Sequence, residues 1–93
     1  MQTIYKYPLK IEDRQTLSLP QLLNNLPARK QILRVGEQNG APMLWAMVDT
    51  ALPAREVSIR MFGTGQPCDA SPETYIGTVI LCNGQLVLHL FCE

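Results

Sequence analysis

Ninety-three residues, 46% apolar and 17% charged, make a single domain that buries a modest core and leaves some apolar surface for a partner or a second copy to cover. A formal net charge of zero without runs of like charge gives no strong nucleic-acid signal, since non-specific binding needs concentrated Lys and Arg; the local grouping Arg29, Lys30 and Arg34 reads as a solvated loop and strand face. Residues 1–19 hold no apolar signal segment, no run approaches the roughly 18 apolar residues of a membrane span, and Cys68, Cys82 and Cys92 form neither a CxxC nor a paired framework, so reduced thiols, no membrane and a cytoplasmic location are expected.

Residues 3–9 set Tyr5, Tyr7 and Leu9 against Ile4 and Lys6, and residues 15–19 place Leu17 and Leu19 on one side; both read as strands. In Pro20 to Leu26, Leu22, Leu23 and Leu26 share a helical face, with Pro20 in the first turn and Pro27 as the stop, which predicts one short helix lying over a sheet. Asn39-Gly40 predicts a hairpin, because a type I′ turn needs positive φ at both central residues. Its register pairs Glu37 with Pro42, Gly36 with Met43, Val35 with Leu44, Arg34 with Trp45, Leu33 with Ala46 and Ile32 with Met47. Residues 43–48 are apolar on both faces, the pattern of a central strand covered on both sides. The Arg34 guanidinium is placed to stack on Trp45.

Asp49 to Ala54, with Pro53, is a connection. Residues 56–62 alternate Val57, Ile59 and Met61 with Glu56, Ser58 and Arg60, and Gly63 to Thr74 is a long loop. Asn83-Gly84 predicts a second hairpin, with Cys82 opposite Gln85, Leu81 opposite Leu86, Val79 opposite Leu88, Gly77 opposite Leu90 and Tyr75 opposite Cys92 on a core face. Ile80 with Val87, Thr78 with His89 and Ile76 with Phe91 form a mixed, partly covered face. The expected fold is mainly β: a small antiparallel sandwich or partly open barrel of six or seven strands with one short helix.

No catalytic constellation and no metal site is expected. Cys82 and Cys92 sit at opposite ends of the second predicted hairpin, roughly 23 Å apart along it, and cannot converge on an ion. His89 and Cys92 point to opposite faces, Ser18, Ser58 and Ser71 lie in no elbow motif, and Glu12 and Asp13 are adjacent solvated acids. No cofactor is implied. The candidate binding residues are Arg34, Trp45, Arg60, Gly63, Thr64, Gly65, Gln66 and His89. Two glycines around Thr64 can present a nest of N–H groups to a phosphate, Arg60 can add a cationic fork, and Trp45 can offer a stacking plate. The plainer reading is a strand-ending turn with Gly at positive φ and a half-buried packing histidine.

Tyr-Lys-Tyr-Pro-Leu at 5–9, Gln-Thr-Leu-Ser-Leu-Pro at 15–20, Ile-Leu-Arg-Val at 32–35 and the stretch from Asn39 to Asp49 recur in order with Phe-Gly-Thr-Gly-Gln-Pro at 62–67, Tyr-Ile-Gly-Thr at 75–78 and Leu-His-Leu-Phe at 88–91. Together they resemble a family of small proteins of unknown function from bacteriophages, prophages and plasmids. The resemblance covers nearly the whole chain, and Leu-Trp-Ala, Gly-Thr-Gly-x-Pro and His-x-Phe are its most specific parts. Gln66 stands where that pattern has His, and residues 21–31 are longer than its usual short turn. The resemblance carries no catalytic residues and implies a mobile genetic element in a bacterial cytosol. It leads to the expectation of a stoichiometric inhibitor of a host defence system such as CRISPR–Cas, its partner a bacterial host protein or complex. The alternatives are a homo-oligomeric sponge for a nucleotide-type signal and a virion or assembly component.

Overall fold

The computed structural model describes residues 1–23 and 26–93. Alternating sequences pair as expected into strands β1 (Gln2–Pro8), β2 (Arg14–Pro20), β3 (Ile32–Gln38), β4 (Ala41–Asp49), β5 (Ala54–Gly63), β6 (Tyr75–Leu81) and β7 (Leu86–Cys92), with one helical turn, α1 (Ala28–Gln31). One sheet has the order β1-β4-β3 and the other β2-β5-β7-β6, and every pairing is antiparallel. The two sheets form a small sandwich with no closed barrel. Leu44, Ala46 and Val48 of β4 and Val35 of β3 meet Leu19, Val57, Ile59, Val79, Leu88 and Leu90 from the other sheet in the core. Among the described residues no helix is long and apolar enough to cross a membrane.

Both Asn-Gly turns adopt the expected backbone. Asn39 and Gly40 have φ of 54° and 82°, Asn83 and Gly84 55° and 90°, and Cys82 adds a third positive φ before the second pair. The first hairpin keeps the expected register from Gln38/Ala41 to Arg34/Trp45, and then Leu33 bulges out. Ile32 therefore pairs with Ala46 instead of Met47 and packs against the core, while Leu33 is left exposed. The second hairpin keeps its register from Leu81/Leu86 to Gly77/Leu90, and then a bulge pairs Tyr75 with Phe91 instead of Cys92.

Each bulge has a cause in the packing between sheets. Beside the first, Gln31 is fully buried, and its Nε2 donates to the carbonyls of Pro20 (2.9 Å) and Met47 (3.0 Å), joining β2 to β4. That anchor holds the start of β3 one residue off the simple hairpin register. Beside the second, Gly77 has φ +147°, and a β-carbon there would stand 2.5 Å from Val35 Cγ2. Only glycine gives both that backbone and that space.

Two expectations are corrected. The helix expected over Pro20 to Leu26 does not start there: Pro20 ends β2, and Gln21 donates to Pro53 O and accepts from Asp49 N in extended pairing (3.0 and 2.9 Å). Asn24 and Asn25, also within that expectation, lie outside the described residues. The helical turn instead comes after Pro27, whose carbonyl accepts from Lys30 N (2.9 Å); with φ −57°, this proline starts a turn instead of stopping one. Nor is β4 covered on both sides. Pro42, Leu44, Ala46 and Val48 face the core, whereas Met43, Trp45 and Met47 are half-buried on the outer face.

Gly77→Ala should lower stability by about 2–4 kcal/mol in chemical denaturation, from overpacking and a strained φ. Adding Val35→Ala should restore part of the loss, and strictly additive effects would refute the contact. Burial pushes the Cys92 thiol up to about 11, whereas Cys68 and Cys82 are exposed. A thiol reagent should therefore modify two cysteines in the folded protein and the third only with denaturant.

Candidate functional site

On β5 the core takes Ile59 and Met61, which turns Arg60 and Phe62 to the outer face of the second sheet. Both are nonetheless 6% exposed, because the 63–74 loop folds back over them. Arg60 Nη1 donates to Asp69 Oδ1 (3.0 Å) and Glu93 Oε1 (3.2 Å), and Nη2 lies 3.8 Å from Asp13 Oδ1. Its guanidinium carbon sits 4.6 Å from the Phe62 ring centroid. Phe62 meets Phe91 edge-on at 5.6 Å, and Phe91 meets Tyr75 at the same separation. Burial by itself disfavours the guanidinium charge. The hydrogen bonds to Glu93 and Asp69 and the charges of Asp69 and Asp13 outweigh it, and the Arg60 pKa moves up. An open cleft of about 510 Å³ remains between Asp13, Arg60, Gln66 and Asp69.

The Gly-Thr-Gly loop is closed on itself. Gln66 N donates to Gly63 O (3.1 Å) across a turn in which Gly65 has φ +90°, and Gln66 Oε1 accepts from Gly63 N. Two N–H groups that an anion would need are thus engaged within the loop. Its tip is pinned to the sheet through His89: Thr64 Oγ1 lies 2.8 Å from Nε2, Thr78 Oγ1 3.0 Å from Nδ1, and Tyr75 OH 2.6 Å from Thr78 Oγ1. A neutral imidazole donates at one nitrogen and accepts at the other, so both of its positions are satisfied by hydroxyls.

Arg60, Gly63, Thr64, Gly65, Gln66 and His89 therefore come together, whereas Arg34 and Trp45 lie on the outer face of the other sheet. The register there aligns Lys6, Trp45 and Arg34 in one row across β1, β4 and β3. The expected Arg34–Trp45 stack does not form. The Arg34 side chain lies along Gly36, where a β-carbon would stand 3.1 Å from Nε, and the guanidinium–ring contact among the described residues is Arg60 on Phe62. Ile4, 54% exposed, pairs with Met47, and Lys6 Nζ reaches across β4 to Gln38 Oε1 (2.6 Å). Register alone locates the Thr78–His89 pair in the sequence. It does not locate Thr64 on His89 or the three acids on Arg60, because those contacts depend on how the loop and chain end fold back.

The hydrogen bond and charge of Arg60 hold the Asp69 carboxyl below its ordinary range. A carboxyl whose pKa falls on folding contributes stability above its unfolded value and loses it as pH falls through the folded one. Wild type should therefore melt above Asp69→Asn at neutral pH, with the gap closing once the pH drops below the carboxylate range. A gap that does not change with pH would remove the ion pair as its cause.

No curated protein and no solved structure matches the chain. A family model matches over residues 1–93, from the first described strand to the carboxylate on Arg60, and the chain belongs to that family, described as Domain of unknown function (DUF7352).

Proposed function

We propose that the protein is an accessory protein of a phage or other mobile genetic element, and that it inhibits a bacterial defence system such as CRISPR–Cas by stoichiometric binding of a host protein. The observation that carries the binding reading is the outer face of the β1-β4-β3 sheet. There Ile4, Met43, Trp45 and Met47 form an apolar strip, partly exposed and crossed by the side-chain bond from Lys6 to Gln38. The outer face of the other sheet, by contrast, has the 63–74 loop over it. A half-buried Trp beside Met and Ile is the composition of an interface anchor, whose truncation costs a complex about 2 kcal/mol or more. The provenance rests on the resemblance to phage, prophage and plasmid proteins. A nucleotide sponge would place phosphates at Gly63–Gly65, where the Gly63 and Gln66 N–H groups already have partners in the loop, so the protein-partner reading is favoured.

The test is expression in isogenic bacterial strains, each carrying one defined defence system, challenged with a phage that the system restricts. Plating should rise on at least one strain and stay low with Trp45→Glu, provided that variant keeps the wild-type melt. Plating unchanged on every strain would overturn the inhibitor reading. Rescue that persists in Trp45→Glu would move the contact off this face, and incorporation of the protein into virions would favour an assembly role.

A further inference from the structure

The open face has a charge pattern as well as an apolar one. Lys6 and Arg34 flank Trp45 in a single row, and among the described residues neither has a carboxylate within ion-pair distance. Lys6 is bonded only to the neutral Gln38 amide, and Arg34 makes no side-chain hydrogen bond within the described protein. Two acids stand near the row in the pairing register: Glu37, three residues along β3 and opposite Pro42, accepts from the Gly40 N–H (2.8 Å), and Asp49, at the far end of β4, is engaged by the Ala51 N–H (3.0 Å) and the Met1 amine (3.0 Å). A fork of guanidinium donors and an ammonium on either side of an indole favour a ligand that brings carboxylates around an apolar side chain.

The same pattern disfavours a second copy. A two-fold pairing centred on this row brings its two cations against the same two of the other copy, with no carboxylate in the row between them. The face is also narrow: three strands about seven residues long span roughly 14 by 24 Å, a footprint that an extended or helical segment fits.

We infer that the β1-β4-β3 face receives an acidic segment of a partner protein, seating an apolar side chain on Trp45 and carboxylates on Lys6 and Arg34. The inference rests on the protein-binding reading and supplies the chemistry of the partner.

Trp45 is the chain's single tryptophan, so its emission reports on this face. The probes are a short synthetic peptide alternating Glu with Leu and its Lys–Leu counterpart. The Glu–Leu peptide should shift Trp45 emission saturably, less at high salt, and about tenfold more weakly in a Lys6→Gln/Arg34→Gln double variant. The Lys–Leu peptide should leave the emission unchanged. Equal response to both peptides, or to neither, would overturn the acidic partner. So would a dimer in sedimentation that Trp45→Glu dissolves, since the occupant would then be a second copy. The phage assay separates this inference from the function it rests on. Loss of rescue in Trp45→Glu with full rescue in the double variant sinks the acidic partner alone, whereas rescue in both variants sinks the use of this face altogether.

Discussion

Arg60 organises one side of this molecule. It sits on the outer face of β5, where an isolated guanidinium would normally reach into water, yet it is almost fully buried. Its buried charge is balanced by three carboxylates, which converge on it from the β1–β2 turn (Asp13), the 63–74 loop (Asp69) and the chain end (Glu93). Buried ion pairs add little net stability against an apolar alternative, but they fix where their partners lie. Here three segments distant in sequence are fixed by one side chain, which also roofs Phe62. The loop after β5 is thereby drawn back over its own sheet, and the Thr64–His89 contact holds its tip.

The consequence is an asymmetric sandwich. One outer face has an aromatic cluster, Phe62, Phe91 and Tyr75, with a loop held beside it by ionic and hydroxyl contacts; the other carries the partly exposed Met43, Trp45 and Met47 together with the exposed Ile4. Both faces belong to strands with inward residues in the same core, so neither is dispensable to the fold. The difference lies in the connections between strands. β5 leads into a long loop with an acid in reach of Arg60, while β4 is joined to its neighbour β3 by a two-residue turn and leads on to β5 through a short connection.

Much of this was legible in the sequence, and the limits have a physical pattern. Turn chemistry and alternation are local, so Asn39-Gly40 and Asn83-Gly84 located both hairpins and their registers close to the turns. Both registers broke where packing between sheets took over, at Leu33 beside the Gln31 anchor and at Ile76 beside the Val35–Gly77 contact. Pro27 misleads because a proline stops one helix and starts the next with the same φ. The two-faced apolarity of β4 was visible, but hydrophobicity does not distinguish a face covered by the chain itself from one left open. At the loop, Gly-Thr-Gly and His89 stand out individually. That Thr64 and His89 touch, and that Gln66 closes the turn with its own amide, depends on three-dimensional folding that spacing does not encode.

The missing β-carbon at Gly77 reaches further than one tight contact. Val35 Cγ2 fills the notch it leaves, and the notch lies on β6 of one sheet while Val35 lies on β3 of the other. Sliding β3 by a residue in either direction withdraws Val35 and points an outward side chain at the backbone of β6. The pair therefore works as a key and slot that indexes one layer against the other. Arg34 is the neighbour of Val35 in the chain and faces the opposite way, so the same key sets where the cationic row on the outside lies relative to everything beneath it.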